Sequence, residues 1–217
     1  MYKKDYMWLW LFVLLLSFIL AIAFNIVFVE HPINGDDTVY MRIAQNLSPN
    51  GFANPTQKNF RIGLLFPLKI LIKIFGYSIF TYYLFSIGFS VLLLLAVLLL
   101  TKKLFGLRVA FISTILMLPS YIISYQSTNI LPDIPAFFGA VFSLYLFLIY
   151  LDNINKRYIL LASVVFGFIT YITKLPVTIF LITLPLLEYI KTKSIHKTIK
   201  YAAIFTVFII CEMITYY

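Results

Sequence analysis

The chain has 217 residues, 62% of them hydrophobic and only 12% charged, with a mean hydropathy of +0.98; a soluble domain carries about 25% charged and roughly half apolar residues, so this inventory cannot cover a water-soluble surface. The net charge of +9 does not mark a nucleic-acid binder, because the basic residues fall in short clusters between apolar runs, where they orient a membrane protein against anionic lipid. One helical crossing needs about 20 apolar residues for roughly 30 Å of hydrocarbon, which leaves room for about six or seven spans.

The first apolar run, residues 7–29, follows Lys3 and Lys4. Ala21-Ile22-Ala23 resembles a signal-peptidase site, but the run is longer than the ~7 to 15 residues of a signal-peptide core and continues past it, so an uncleaved first span is expected. Further runs cover residues 77–100, 109–125, 134–151, 158–172 and 177–190, and a seventh starts near Tyr201. The cations between them are Lys3 and Lys4, then Lys102, Lys103 and Arg108, then Lys156 and Arg157, then Lys191, Lys193, Lys197 and Lys200. If every run crosses once, all these clusters share one side, which the positive-inside rule makes cytoplasmic. The N-terminus is then cytoplasmic, and residues 30–76, 126–133 and 173–176 lie outside.

Residues 62–75 are also apolar but short, and they contain Pro67, Lys69 and Lys73. They suit an amphipathic helix in the interface better than a crossing. Lys69 and Lys73, spaced i, i+4, are expected to snorkel to lipid phosphates. Earlier in the same loop, Asp36 and Asp37 precede an i, i+4, i+8 stripe of Val39, Ile43 and Leu47, which predicts a second interfacial helix ending before Pro49. Residues 51–59 read as loop. The expected fold is all-α: a polytopic transmembrane helical bundle of about seven spans, with interfacial helices in the first outer loop. The chain stops at Tyr217 without a polar tail, so a C-terminal remainder is expected to be missing.

Acidic residues are scarce, eight in all, and Asp36, Asp37 and Asp133 fall at outer helix ends. Aspartate is a favoured N-cap. For Asp133, between Pro132 and Pro135, a cap and a site residue are equally consistent; of the Asp36-Asp37 pair a cap uses one, leaving the other for solvation, a metal or general-base work. Arg61 and Lys174 are cations on the outer side, where each suits a membrane-anchored phosphate, although Lys174 also suits interfacial snorkelling. His31 and His196 assemble no ligand set, and Cys211 is a lone thiol in an apolar run. A divalent metal is possible. No P-loop, dinucleotide fingerprint or nucleophile elbow is present, so no nucleotide cofactor is expected.

His31-Pro32-Ile33-Asn34-Gly35-Asp36-Asp37-Thr38-Val39-Tyr40, running into Ile43-Ala44-Gln45-Asn46-Leu47, resembles the first outer loop of GT-C-fold glycosyltransferases. The group in question uses polyprenyl-phosphate sugars and includes protein O-mannosyltransferases and lipid A aminoarabinose transferases. Its pattern is Asp-Glu, a Tyr four residues after the Asp, then Ile-Ala. Asp36 and Tyr40 match; Asp37 replaces the Glu, which leaves a metal role there open. Arg61-Ile62-Gly63-Leu64-Leu65-Phe66-Pro67 with Ile74-Phe75-Gly76 is similar to the family's Arg/Pro segment before Phe-Gly. Leu131-Pro132-Asp133-Ile134-Pro135 resembles its Asp-x-Pro, and Gly167 to Pro176, ending Thr173-Lys174-Leu175-Pro176, its Gly...Thr-Lys-x-Pro. The four fragments stand in the family's order over most of the chain, so residues 1–217 read as the N-terminal part of a GT-C-like transmembrane domain.

The resemblance implies an enzyme that moves a sugar from a polyprenyl- or dolichyl-phosphate donor to a hydroxyl on a protein or lipid acceptor, outside the membrane and with inversion. Asp36 would be the general base, and Asp37 and Asp133 would shape the polar site or bind metal. Arg61 and Lys174 would hold the donor phosphate, and Tyr40 would line the substrate pocket. The expected setting is the cell membrane, or the endoplasmic reticulum membrane in a eukaryote. The competing class is a transporter or scaffold; transporters gather ionisable groups near the bilayer midplane, whereas here they gather at one face.

Overall fold

A computed structural model describes residues 35–47, 58–117, 128–152 and 157–193, with single positions elsewhere. Most of the first and seventh apolar runs, and His31, His196 and Cys211, lie outside the described residues. Within them the elements are α1 (Asp36–Gln45), α2 (Ile62–Phe75), α3 (Ile79–Phe105), α4 (Leu107–Met117), α5 (Asp133–Asp152), α6 (Arg157–Thr173), a 3-10 segment (Leu175–Ile182) and α7 (Thr183–Thr192). Two of these helices, α3 and α5, are long and apolar enough to cross a bilayer; α4 and α6 are apolar but shorter.

The helix boundaries follow from their capping residues. Ser78 starts α3, its hydroxyl accepting the Thr81 N–H at 3.3 Å. Gly76 and Gly106 end α2 and α3 with φ of 80° and 86°, a left-handed geometry that glycine adopts without steric cost. The last turn of α3 holds Lys102 and Lys103, where cations complement the negative end of the helix dipole. Pro67 does not break α2, whose 14 residues reach only about 21 Å.

Contacts at the helix ends set their directions. Lys103 at the end of α3 pairs with Asp152 at the end of α5, so these two run parallel. Asp133 at the head of α5 pairs with Lys174 just past α6, so α5 and α6 run antiparallel. Between those ends the Ser143 hydroxyl donates to the Ser163 carbonyl and the Ser163 hydroxyl to the Ser143 carbonyl, each at 2.8 Å. Small residues let the helices approach this closely. A Cβ at Gly139 would stand 3.2 Å from the Phe166 carbonyl oxygen of α6, and one at Gly63 only 2.7 Å from that of Ile169.

The expected span over residues 177–190 is a single α-helix in the sequence pattern but two pieces in the structure. Pro176 and Pro185 each remove a backbone donor, and the chain from Leu175 to Ile182 winds as 3-10 helix before α7 begins. Val177 packs on Ala136 and Ala140 near the head of α5, and Leu184 on Phe147, Tyr150 and Leu151 near its tail.

The bundle has an ionic head and a basic tail. Asp36, Asp37, Lys58, Arg61, Asp133 and Lys174 lie at the head, and Lys102, Lys103 and Arg157, with Asp152 paired to Lys103, at the tail. Between them large side chains such as Phe66, Ile70, Ile112, Leu116 and Leu161 face outward.

A candidate active site at the head of the bundle

Gly35, in extended backbone, is the N-cap of α1, and no side chain caps this helix through it. The Asp36-Asp37 pair therefore occupies the first turn rather than the cap position, and the two carboxylates diverge. Asp37 is buried. Its Oδ1 accepts the Thr38 N–H at 2.9 Å, and its Oδ2 accepts the hydroxyl of Tyr82 on α3 at 2.7 Å. A Cβ at residue 35 would come within 2.6 Å of that Oδ1, so the carboxylate folds back over a glycine. Asp36 instead faces outward, its side chain 61% exposed, with Oδ1 2.5 Å from Lys58 Nζ.

The buried face of α1 is Asp37, Tyr40, Met41 and Ala44. This corrects the expected stripe of Val39, Ile43 and Leu47: Val39 is exposed, and the other two pack at the rim. Polar groups that meet partners can be buried, and those partners are on α2 and α3. Tyr40 is fully enclosed, and its hydroxyl accepts from the Arg61 guanidinium. Burial pushes the Tyr40 phenol pKa up; the Arg61 charge opposes this, and the Asp36 and Asp133 charges add to the rise. One tyrosine thus lies within the electrostatic reach of α1, the head of α2 and the head of α5. Lys69 is also corrected. Rather than snorkelling to lipid, it donates to the Leu47 carbonyl just past the end of α1, a cation satisfying a carbonyl at a helix C-terminus.

Asp133 opens α5, with Pro135 in the first turn, where a missing N–H costs little. Its Oδ1 accepts from Lys174, both side chains being mostly buried. The Lys174 amide continues the last turn of α6 by donating to the Thr170 carbonyl at 3.0 Å. The six residues singled out from sequence thus gather at one end of the bundle, in pairs: Asp36 with Lys58, Asp37 with Tyr82, Tyr40 with Arg61, and Asp133 with Lys174. Lys58 and Tyr82 were not singled out. Lys58 stands in what reads as plain loop, and Tyr82 sits among aromatics that read as membrane belt.

Chemically the three carboxylates are unlike. Asp37 is enclosed and Asp133 is held by a cation in a mostly buried pair, whereas Asp36 is open to an approaching acceptor. Among the described residues no three His, Cys, Asp or Glu side chains cluster to hold a metal ion, and the Asp36-Asp37 pair is split between different partners.

Residues 62–217 match the family described as dolichyl-phosphate-mannose-protein mannosyltransferase. The chain belongs to this family. No curated protein matches it. Members of the dolichyl-phosphate-mannose-protein mannosyltransferase family are integral membrane glycosyltransferases, in accord with the all-helical, apolar bundle and with the GT-C resemblance of the sequence. The match includes Asp133 and Lys174 and begins one residue after Arg61, so Asp36, Asp37 and Tyr40 precede it. The hydrogen bond from Tyr82 to Asp37 ties that preceding helix to the matched part of the mannosyltransferase family fold.

The Asp37 contact predicts a stability effect. Tyr82→Phe leaves a buried carboxylate without its hydroxyl donor, a loss of about 1 to 3 kcal/mol. The midpoint of thermal unfolding in detergent should fall, while Tyr83→Phe, which keeps the donor in place, should leave it near the parent value. Equal midpoints for the two variants would show that the hydroxyl does not hold α1 to the bundle.

Proposed function

We propose that this chain moves a sugar from a polyprenyl- or dolichyl-phosphate donor to a hydroxyl of a protein or lipid acceptor, with inversion at the anomeric carbon. The observation that carries this reading is that Asp36, Asp133, Arg61 and Lys174 lie at one end of the bundle, with Arg61 on the Tyr40 hydroxyl and Lys174 on Asp133. Among the described residues the buried carboxylates are Asp37 at the head and Glu188 on α7, and the buried polar side chains within α3, α5 and α6 are serines, threonines and tyrosines, so the charged groups lie toward the ends of the bundle. The membrane rim is where a lipid-anchored phosphate presents its sugar. The tail holds Lys102, Lys103 and Arg157, which the positive-inside rule assigns to the cytoplasm, and the site is then extracytoplasmic.

In the transfer step the Asp36 carboxylate takes the acceptor's hydroxyl proton as that oxygen bonds to the anomeric carbon. The bond from the same carbon to the phosphate oxygen breaks, and the phosphate leaves with the electron pair. Arg61 and Lys174 stabilise the charge gathering on the leaving phosphate. Lys174 reaches it by leaving Asp133, which then shapes the polar pocket with Asp37, and Tyr40 backs the pocket by holding Arg61 from beneath. No nucleotide takes part, and the partners are the lipid-linked donor, the acceptor and the surrounding lipids.

The test uses the full chain in liposomes with a labelled polyprenyl-phosphate sugar. Label should become covalently bound to acceptor with inverted configuration. Label released unattached on the far side of the membrane would make the chain a transporter. Lys174→Gln should weaken donor binding by about ten- to one-hundred-fold, the value of a charge-assisted contact of roughly 1.5 to 3 kcal/mol. Binding as tight as the parent's would leave Lys174 only its partner Asp133.

A further inference from the structure

We infer that Lys58 is a positioning residue for sugar transfer, one that fixes the Asp36 carboxylate in the orientation from which it accepts the acceptor's proton; the inference rests on Asp36 being the base. Asp36 is the first residue of α1 and is mostly exposed. An exposed carboxylate left to itself samples several rotamers. Lys58 reaches across from the turn before α2 and places its Nζ 2.5 Å from Asp36 Oδ1. The same ammonium lies 5.9 Å from the centre of the Tyr40 ring, and that ring is immobilised by complete burial and by Arg61 on its hydroxyl. Lys58 is therefore braced on a rigid surface. A long side chain held in this way gives up less rotamer freedom on pairing than one in open solvent.

A carboxylate has two oxygens with about four lone-pair sites, so an ammonium on Oδ1 leaves the group able to accept a proton. Lys58 belongs to the base through this contact, whereas Arg61 and Lys174 are the cations assigned to the phosphate. A reacting group held off its productive geometry loses rate, and without the brace Asp36 spends part of its time in other rotamers, a bias no larger than an exposed pair can impose.

The experiment is steady-state transfer by full-chain Lys58→Met and Lys58→Arg with a polyprenyl-phosphate sugar. Lys58→Met keeps the stem and removes the charge. It should lower kcat about two- to five-fold with the donor KM little changed, and Lys58→Arg should recover most of that loss. In an Asp36→Asn background, Lys58→Met should leave the residual rate where it is, since nothing remains to position. A raised donor KM at unchanged kcat would make Lys58 a phosphate ligand and overturn the inference, as would a lowered kcat that Lys58→Arg does not restore. An inactive Asp36→Asn beside a fully active Lys58→Met defeats the positioning role alone. An Asp36→Asn as active as the parent defeats the base assignment beneath it.

Discussion

Replacing Asp36 by Asn is expected to reduce sugar transfer about 100- to 10,000-fold, the usual worth of a general base, while the protein stays folded and still binds its donor. The structure separates these effects. Gly35 is the N-cap of α1, so the Asp36 side chain is not what starts the helix, and Asn has the same shape. The substitution gives up the ion pair to Lys58, but with the Asp36 side chain 61% exposed such a pair contributes about 0 to 1 kcal/mol. Unfolding is therefore too small an effect to imitate the loss of a base. Asp37→Asn is the comparison. Asn can still accept the Tyr82 hydroxyl at that buried position, and a smaller loss of rate is expected with some loss of stability. The assay is transfer of labelled sugar from a polyprenyl-phosphate donor alongside thermal unfolding of the same preparations. Parent-level transfer by Asp36→Asn would remove Asp36 from the mechanism.

Local features of this protein were legible in the amino-acid sequence to the extent that local chemistry decides them. The runs over residues 134–151 and 158–172 became α5 and α6 with one residue added at each end, since burial in an apolar bundle depends on composition over a whole turn. The run over residues 77–100 continues to Phe105 as α3, because Lys102 and Lys103 read as loop charges yet sit in a helical last turn that only Gly106 ends. The first turn of α1 was visible in Asp36 and Asp37. Its buried face was not, because Val39, Ile43 and Leu47 look like a core stripe until Tyr40 is known to meet Arg61 and Asp37 to meet Tyr82. Those partners stand 21 and 45 residues away in the chain. Pairing across such separations comes from helix packing, which no spacing rule encodes. Lys58 and Lys69 were unreadable for the same reason: each is a surface lysine by type, and only the approach of α1 to α2 gives them Asp36 and the Leu47 carbonyl.

The approach of α2 to α6 carries the second large effect. Gly63→Leu is expected to destabilise the protein by about 3 kcal/mol or more, beyond the usual range for overpacking because the obstacle is backbone. Any Cβ at residue 63 presses on the Thr173 hydroxyl and stands 2.7 Å from the Ile169 carbonyl oxygen. Thr173 cannot easily turn away, since its hydroxyl donates to that same carbonyl at 2.6 Å. Helix propensity works in the opposite direction, favouring Ala over Gly by about 1 kcal/mol, and Gly88→Ala measures that contribution alone: a Cβ there meets nothing within 4 Å. Gly88→Ala should thus hold or raise the unfolding midpoint, Gly63→Ala should lower it, and Gly63→Leu should lower it furthest. Donor binding should fall in the same order, because α2 begins next to Arg61 and α6 ends next to Lys174. Wedging the two helices apart separates the two cations assigned to one phosphate. If Gly63→Ala unfolds no earlier than Gly88→Ala, the close contact between α2 and α6 is not what sets the spacing of Arg61 and Lys174.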